Sequence, residues 1–110
     1  MIWKWDPVKA KFNWRKHGVS FELALEVFED PYQLTLLDPN EDEERWRTIG
    51  QPFLAQPNTI LVVHTWPDDD VDGRIISARE ATRPERNAYD YEKKKRWADL
   101  EGDTGWFIIS

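Results

Sequence analysis

The stretch "TILVVHTWPDDDVDGRIISARE", residues 59–80, decides the fold. Ile60, Leu61, Val62 and Val63 follow one another without a polar break, so a strand through them is apolar on both faces. That pattern belongs to the centre of a covered sheet. "PDDDVDG" is turn chemistry: a proline, four aspartates and a closing glycine. "RIISAR" then reads as a returning strand over residues 74–79. So short a connection joins an antiparallel pair. By strict alternation Ile75, Ser77 and Arg79 share one face of the returning strand, and Arg74, Ile76 and Ala78 the other.

Upstream, "RWRTIG" at residues 45–50 alternates, and residues 33–37 are β-compatible. The charged turn "DPNEDEE" and the proline-bearing loop "QPFLAQPN" separate these strands, which predicts an antiparallel meander. Asp6-Pro7 is a helix start, with a carboxylate cap and proline at the first helical position. Gly18 is its left-handed stop. Ser20 caps a second helix whose apolar stripe is Phe21, Ala24, Leu25 and Phe28, and Asp30-Pro31 ends it. Residues 2–5 read as an edge strand. Downstream, Thr82 and Glu85 form a T-x-x-E capping box for a helix reaching about residue 97. The fold expected is α+β: an N-terminal strand and two helices packed on an antiparallel meander sheet, followed by a C-terminal helix. One domain spans residues 1–97; residues 98–110 form a tail whose "WFIIS" is a candidate added strand.

A chain of 110 residues with 40% hydrophobic and 14% aromatic side chains is a folded domain rather than a disordered one. Without cysteine there is no disulfide or thiol chemistry. No run approaches the roughly 20 apolar residues of a membrane helix, and no secretory segment opens the chain, so a cytoplasmic protein away from membranes is expected. The formal net charge of −6 conceals a segregation. Residues 67–72 carry four acids and no base, whereas residues 73–97 carry eight bases and four acids. A local excess of that kind can receive an anion, while the overall sign argues against indiscriminate adhesion to nucleic acid.

Four stretches, "WDPVKAKFNWRKHGVSFELALEVFEDP", "ERWRTIG", "VVHT" and "RIISAREATRPERNAY", together resemble the BrnT family of bacterial type II toxins, ribonucleases with a RelE-like fold. They occur in the family's order over about residues 3–91; the loop at 51–58 and the tail after Trp97 depart from it. The resemblance implies mRNA cleavage without a metal ion or other cofactor. It also implies neutralisation by a BrnA-type ribbon-helix-helix antitoxin, DNA binding only through that antitoxin, and a heterotetramer held by antitoxin dimerisation.

Metal-free RNA cleavage needs a base for the 2′-hydroxyl proton, cationic donors for the phosphorane and an acid for the leaving 5′-oxygen. Arginine suits the second task because its planar fork matches two phosphate oxygens. Arg79, at the end of the returning strand, is the first choice for a clamp; the alternative is that it pins the helix by pairing with Glu80, Glu85 or Glu44. Arg83, Arg86 and Tyr89 follow one another at intervals of three on the last helix. Arg86 and Tyr89 are candidates for a second phosphate and for stacking or protonation, or else Tyr89 belongs to the core. His64 is a candidate base or acid, or a hydrogen-bonded packing residue. Arg45 and Arg47 share a strand face opposite Trp46, with Glu44 as an orienting carboxylate or base; cross-strand pairing is the alternative. Lys16 and His17, in the family's Lys-His-Gly element, are candidate RNA contacts alongside Arg47 and Arg83. Most tryptophans are assigned to the core or a partner surface. Asp68, Asp70, Asp72 and Gly73 imitate a calcium loop, but Arg79 stands where its closing glutamate should be, so a polar turn is expected. The competing function is a noncatalytic toxin-fold module that binds an antitoxin and acts in regulation.

Overall fold

The computed structural model describes residues 2–40, 42–53 and 58–109, with side chains through residue 98. Strand β1 (Trp3–Lys4) leads into α1 (Pro7–His17) and α2 (Phe21–Val27). Strands β2 (Leu34–Asp38), β3 (Arg45–Gly50), β4 (Ile60–His64) and β5 (Gly73–Glu80) follow, and α3 (Arg83–Ile109) closes the chain. The sheet order is β1-β5-β4-β3-β2, so the apolar strand of the opening hairpin lies in the middle. β2 to β5 pair antiparallel, as the turn lengths require. β1 pairs parallel with β5 and makes the sheet mixed, a pairing the meander pattern did not contain.

Local chemistry sets the helix ends. The Asp6 carboxylate accepts from the Val8 N–H at 2.8 Å, and Gly18, at φ +69°, donates to the Trp14 carbonyl. The Ser20 hydroxyl accepts from the Leu23 N–H at 3.0 Å. Phe21, Ala24 and Val27 bury the α2 stripe against Ile60, Val62, Ile75 and Ala78. On the opposite face Ile49, Leu61, Ala81 and the α3 residue Tyr89 form a second cluster. Asp30 joins the layers: its carboxylate accepts from the Tyr32 and Gln51 N–H groups and from the Tyr89 hydroxyl at 2.5 Å.

Asn13 locks α1 to the sheet. Its amide donates to the Val19 and Ala78 carbonyls at 2.9 and 2.8 Å, and its oxygen accepts from the Ala78 N–H. The paired positions of β1 reach only Gly73 and Arg74, so the Asn13 side chain serves Ala78 as a substitute strand neighbour. Gly73 is needed for close approach, since a Cβ there would stand 2.7 Å from the Trp3 ring.

Two sequence expectations are corrected. The tail is not an added strand: α3 passes residue 97 without a break and its backbone stays helical through Ile109. The face assignment on β5 also fails. Val63 pairs with Ser77 but His64 pairs with Ile75, leaving Ile76 as an extra residue in a bulge. Ile75 and Ala78 therefore both face the helix pair, three residues apart. Residues 54–57 of the loop that departs from the family lie outside the described residues.

Candidate nucleic-acid interface

The helix pair covers one face of the sheet, while α3 covers only one end of the other. Register places Leu36, Arg47, Val63 and Ser77 in one row across four strands of that second face. Leu34, Ile49, Leu61 and Arg79 form the neighbouring row, roughly 7 Å away by strand geometry. Arg45 extends the face beyond Arg47 and is paired with Asp38. The bulge brings Arg74 to this side, where Glu43 accepts from both the Arg74 guanidinium and the Arg45 Nε. Four guanidinium groups from β3 and β5 thus share one uncovered face, with side chains 29–41% exposed.

Each of these arginines meets a carboxylate. Arg47 Nε donates to Asp38. Arg79 donates through both terminal nitrogens to Glu85, at 2.8 and 3.0 Å. The pairing with Glu85 was among the alternatives read from the sequence, and it lowers the Glu85 pKa to about 2 while raising that of Arg79. Glu85 also accepts from the Thr82 N–H, so one carboxylate completes the capping box and orients the arginine. Hydrogen bonds from Arg45, with the charge of Arg74 beside it, hold Glu43 below the usual carboxylate range. A guanidinium carries five N–H donors, and these contacts engage one to three of them. The remaining donors are available to phosphate.

Several expected site residues lie elsewhere. His64 is fully buried. Its Nδ1–H donates to the Thr65 carbonyl at 2.9 Å, so Nε2 accepts from the Thr48 hydroxyl at 2.6 Å, and Trp3, Phe28 and Trp66 enclose the ring. Burial lowers its pKa, and no substrate reaches it; the base-or-acid assignment gives way to a packing role. Tyr89 is also fully buried, and burial together with Asp30 holds its proton on, so it neither stacks on a base nor releases that proton. Arg86 donates to the Ala81 carbonyl at 3.0 Å, bracing the start of α3. Arg83 is exposed. Glu44 is exposed and has no polar partner among the described residues; its neighbour Glu43 occupies the place expected of it. Sequence spacing alone could not decide between two adjacent glutamates at a strand entrance.

Lys16 and His17 end α1, which packs on the sheet face opposite the arginines. With Lys9, Phe12, Ile76 and Ser77 they line a cleft between α1 and β5, and Ser77 belongs to the Arg47 row. Asp68 accepts from the Asp70 and Val71 N–H groups, as a turn residue does, and no cluster of three metal-binding side chains occurs among the described residues. No helix among them is long and apolar enough to cross a membrane.

A small α+β protein with an arginine-bearing sheet face beside a basic helix is built to meet a polyanion. The family model for the ribonuclease toxin BrnT of type II toxin-antitoxin systems matches residues 5–85, about three quarters of the chain. The chain belongs to this family and is a ribonuclease toxin of a type II system, with RNA as substrate and an antitoxin as partner. A search among curated proteins returns no match. The family match takes in Arg45, Arg47, Arg74, Arg79 and Glu85 but ends before Arg86 and Tyr89.

Proposed function

We propose that this toxin is a metal-independent endoribonuclease that cleaves mRNA by attack of a 2′-hydroxyl on the adjacent phosphorus. The observation that carries the reading is the set of four guanidinium groups, each oriented by a carboxylate and each with donors to spare. Arg45, Arg74 and Arg79, with Arg47 beside them, hold the phosphate and then the more highly charged phosphorane. Glu43, between Arg45 and Arg74, takes the 2′-hydroxyl proton as the O2′–P bond forms. The P–O5′ bond breaks and the leaving oxygen takes a proton from solvent. The products are a 2′,3′-cyclic phosphate and a 5′-hydroxyl. The family resemblance further supports a cytoplasmic toxin and a BrnA-type ribbon-helix-helix antitoxin. It also supports DNA contact only through that antitoxin, and a heterotetramer built on antitoxin dimerisation.

The test is cleavage of an oligoribonucleotide in excess chelator with product ends identified. Parent protein should yield cyclic phosphate ends. Arg74→Ala and Arg79→Ala should fold and lose roughly 10²–10³ in rate, the loss typical of an oxyanion donor. Unchanged rates in both would refute the site.

A second reading rests on the same carboxylates. Because every arginine of the face is already paired, the chain also fits a noncatalytic module that binds its antitoxin and acts in regulation. Expression alone in a bacterial host separates the two. Growth arrest relieved by the antitoxin supports the enzyme; indifference supports the module.

A further inference from the structure

We infer that α1 is a second contact for the RNA strand and that the cleft between α1 and the β5 bulge receives one unpaired nucleobase. This rests on the ribonuclease reading and names a subsite beside its catalytic face.

In a chain of net charge −6, α1 carries Lys9, Lys11, Arg15 and Lys16 and no acidic residue. On this helix Phe12 is 67% exposed, an aromatic ring beside the similarly exposed Val8 one turn before it. Lys9 precedes it by three residues and Lys16 follows by four, so the ring stands between two ammonium groups on one helix face. Exposed aromatics between cations are how proteins hold single-stranded nucleic acid: the ring stacks on a base and the cations follow the backbone.

The cleft beside Phe12 has a volume of about 280 Å³. That falls just under the roughly 300–1,000 Å³ of sites for larger organic ligands, room for a base rather than for an extended cofactor. Its walls are Lys9, Phe12, Lys16 and His17 from α1 and Ile76 and Ser77 from the bulge. Ser77 lines the cleft and also continues the row of Val63 and Arg47, so β5 is the border between the cleft and the arginine face. A strand that uses both surfaces passes around β5 from the arginine face to Phe12. The cleft is fixed in place, because Asn13 in its floor holds both α1 and Ala78 of β5. An acidic protein segment is the other polyanion to consider. Val8 and Trp14 are exposed on α1 as well, but the placement of the ring between Lys9 and Lys16, on a helix with no acidic residue, is the arrangement that stacks a base and follows a phosphate backbone.

The probe is a fluorescent oligoribonucleotide with 2′-O-methyl groups, which binds without being cleaved. Phe12→Ala, an exposed change, should leave the thermal midpoint within a degree or two of the parent and weaken RNA binding about tenfold, the size of one base–aromatic stack. Phe12→Trp should restore it, and Lys9→Ala should reduce the salt slope of binding by about 0.7. Equal affinity of parent and Phe12→Ala would overturn the inference. So would a variant that keeps RNA but loses the antitoxin, which would make the cleft a protein-docking site. Binding is read without cleavage. A parent that binds through Phe12 but never cuts removes the ribonuclease reading alone, and a parent that cuts while Phe12 is irrelevant removes this inference alone.

Discussion

At the scale of single residues, charge and burial separate groups that looked alike in sequence. His64 and His17 are both imidazoles next to motif residues, yet one is sealed under three aromatic rings and the other lines an open cleft. Burial keeps the His64 ring neutral in the folded protein, while the unfolded chain takes up a proton near pH ~6.5. Stability is therefore full above that pH and falls as the pH drops below it. The thermal midpoint should decline between pH 7.5 and pH 5.5, and His64→Gln should flatten that part of the curve. Glu85 has the opposite proton preference, with its folded pKa lowered to about 2. Its contribution is complete above ~pH 4.5 and disappears as the pH falls towards 2, so it shapes only the strongly acid limb. Glu85→Gln retains an oxygen for the Thr82 N–H but releases Arg79. Thermal melting should show a loss of ~1 kcal/mol, and fluorescence titration should show tighter RNA binding; unchanged RNA affinity would mean Arg79 never leaves its carboxylate to meet phosphate.

At the scale of elements, what was legible was what is local. Asp6-Pro7, Gly18, Ser20 and the Thr82–Glu85 box each set a helix end through groups within a few residues, so the sequence displays them directly. The apolar run at Ile60–His64 announced the central strand for the same reason. The partners of the site are not local. Arg74 and Glu43 are 31 positions apart, and Asn13 and Ala78 are 65 apart. Alternation predicted Arg79 and Arg74 on opposite faces, and one extra residue in β5 reversed that. Asn13 passed unnoticed because a helix asparagine has no pattern that marks it as a strand neighbour. Asn13→Ala leaves the Ala78 N–H and carbonyl without their buried partner and should cost ~2–3 kcal/mol in denaturant unfolding. Asn13→Asp, which keeps the acceptor but loses the amide donors, should be comparably destabilising.

At the scale of the whole molecule, acid and base are sorted by position. The charged turns and the tail make the chain acidic, while the face opposite the helix pair and the surface of α1 gather the cations. RNA binding should therefore be steeply salt-dependent in spite of the net charge of −6. Replacing Arg45, Arg47, Arg74 or Arg79 singly by glutamine should reduce the slope of log affinity against log salt by about 0.7 each, measured by titration at several salt concentrations. Slopes that do not change would place the RNA elsewhere. Duplex DNA should compete weakly with single-stranded RNA, because a flat sheet face beside a helix does not enter a groove.

The irregular step at Ile76 is the one place where β5 can shorten and keep its faces. Removing that one codon would restore regular alternation without turning the lead-in of the strand over. Ile75, then next to Ser77, would stay beneath the helix pair and Arg74 would stay on the arginine face. Losing a residue between Ser77 and Glu80 would instead shift the paired stretch by one and exchange its faces. A library of single-residue deletions scored for folding should therefore show more survivors at Ile76 than at its neighbours in β5.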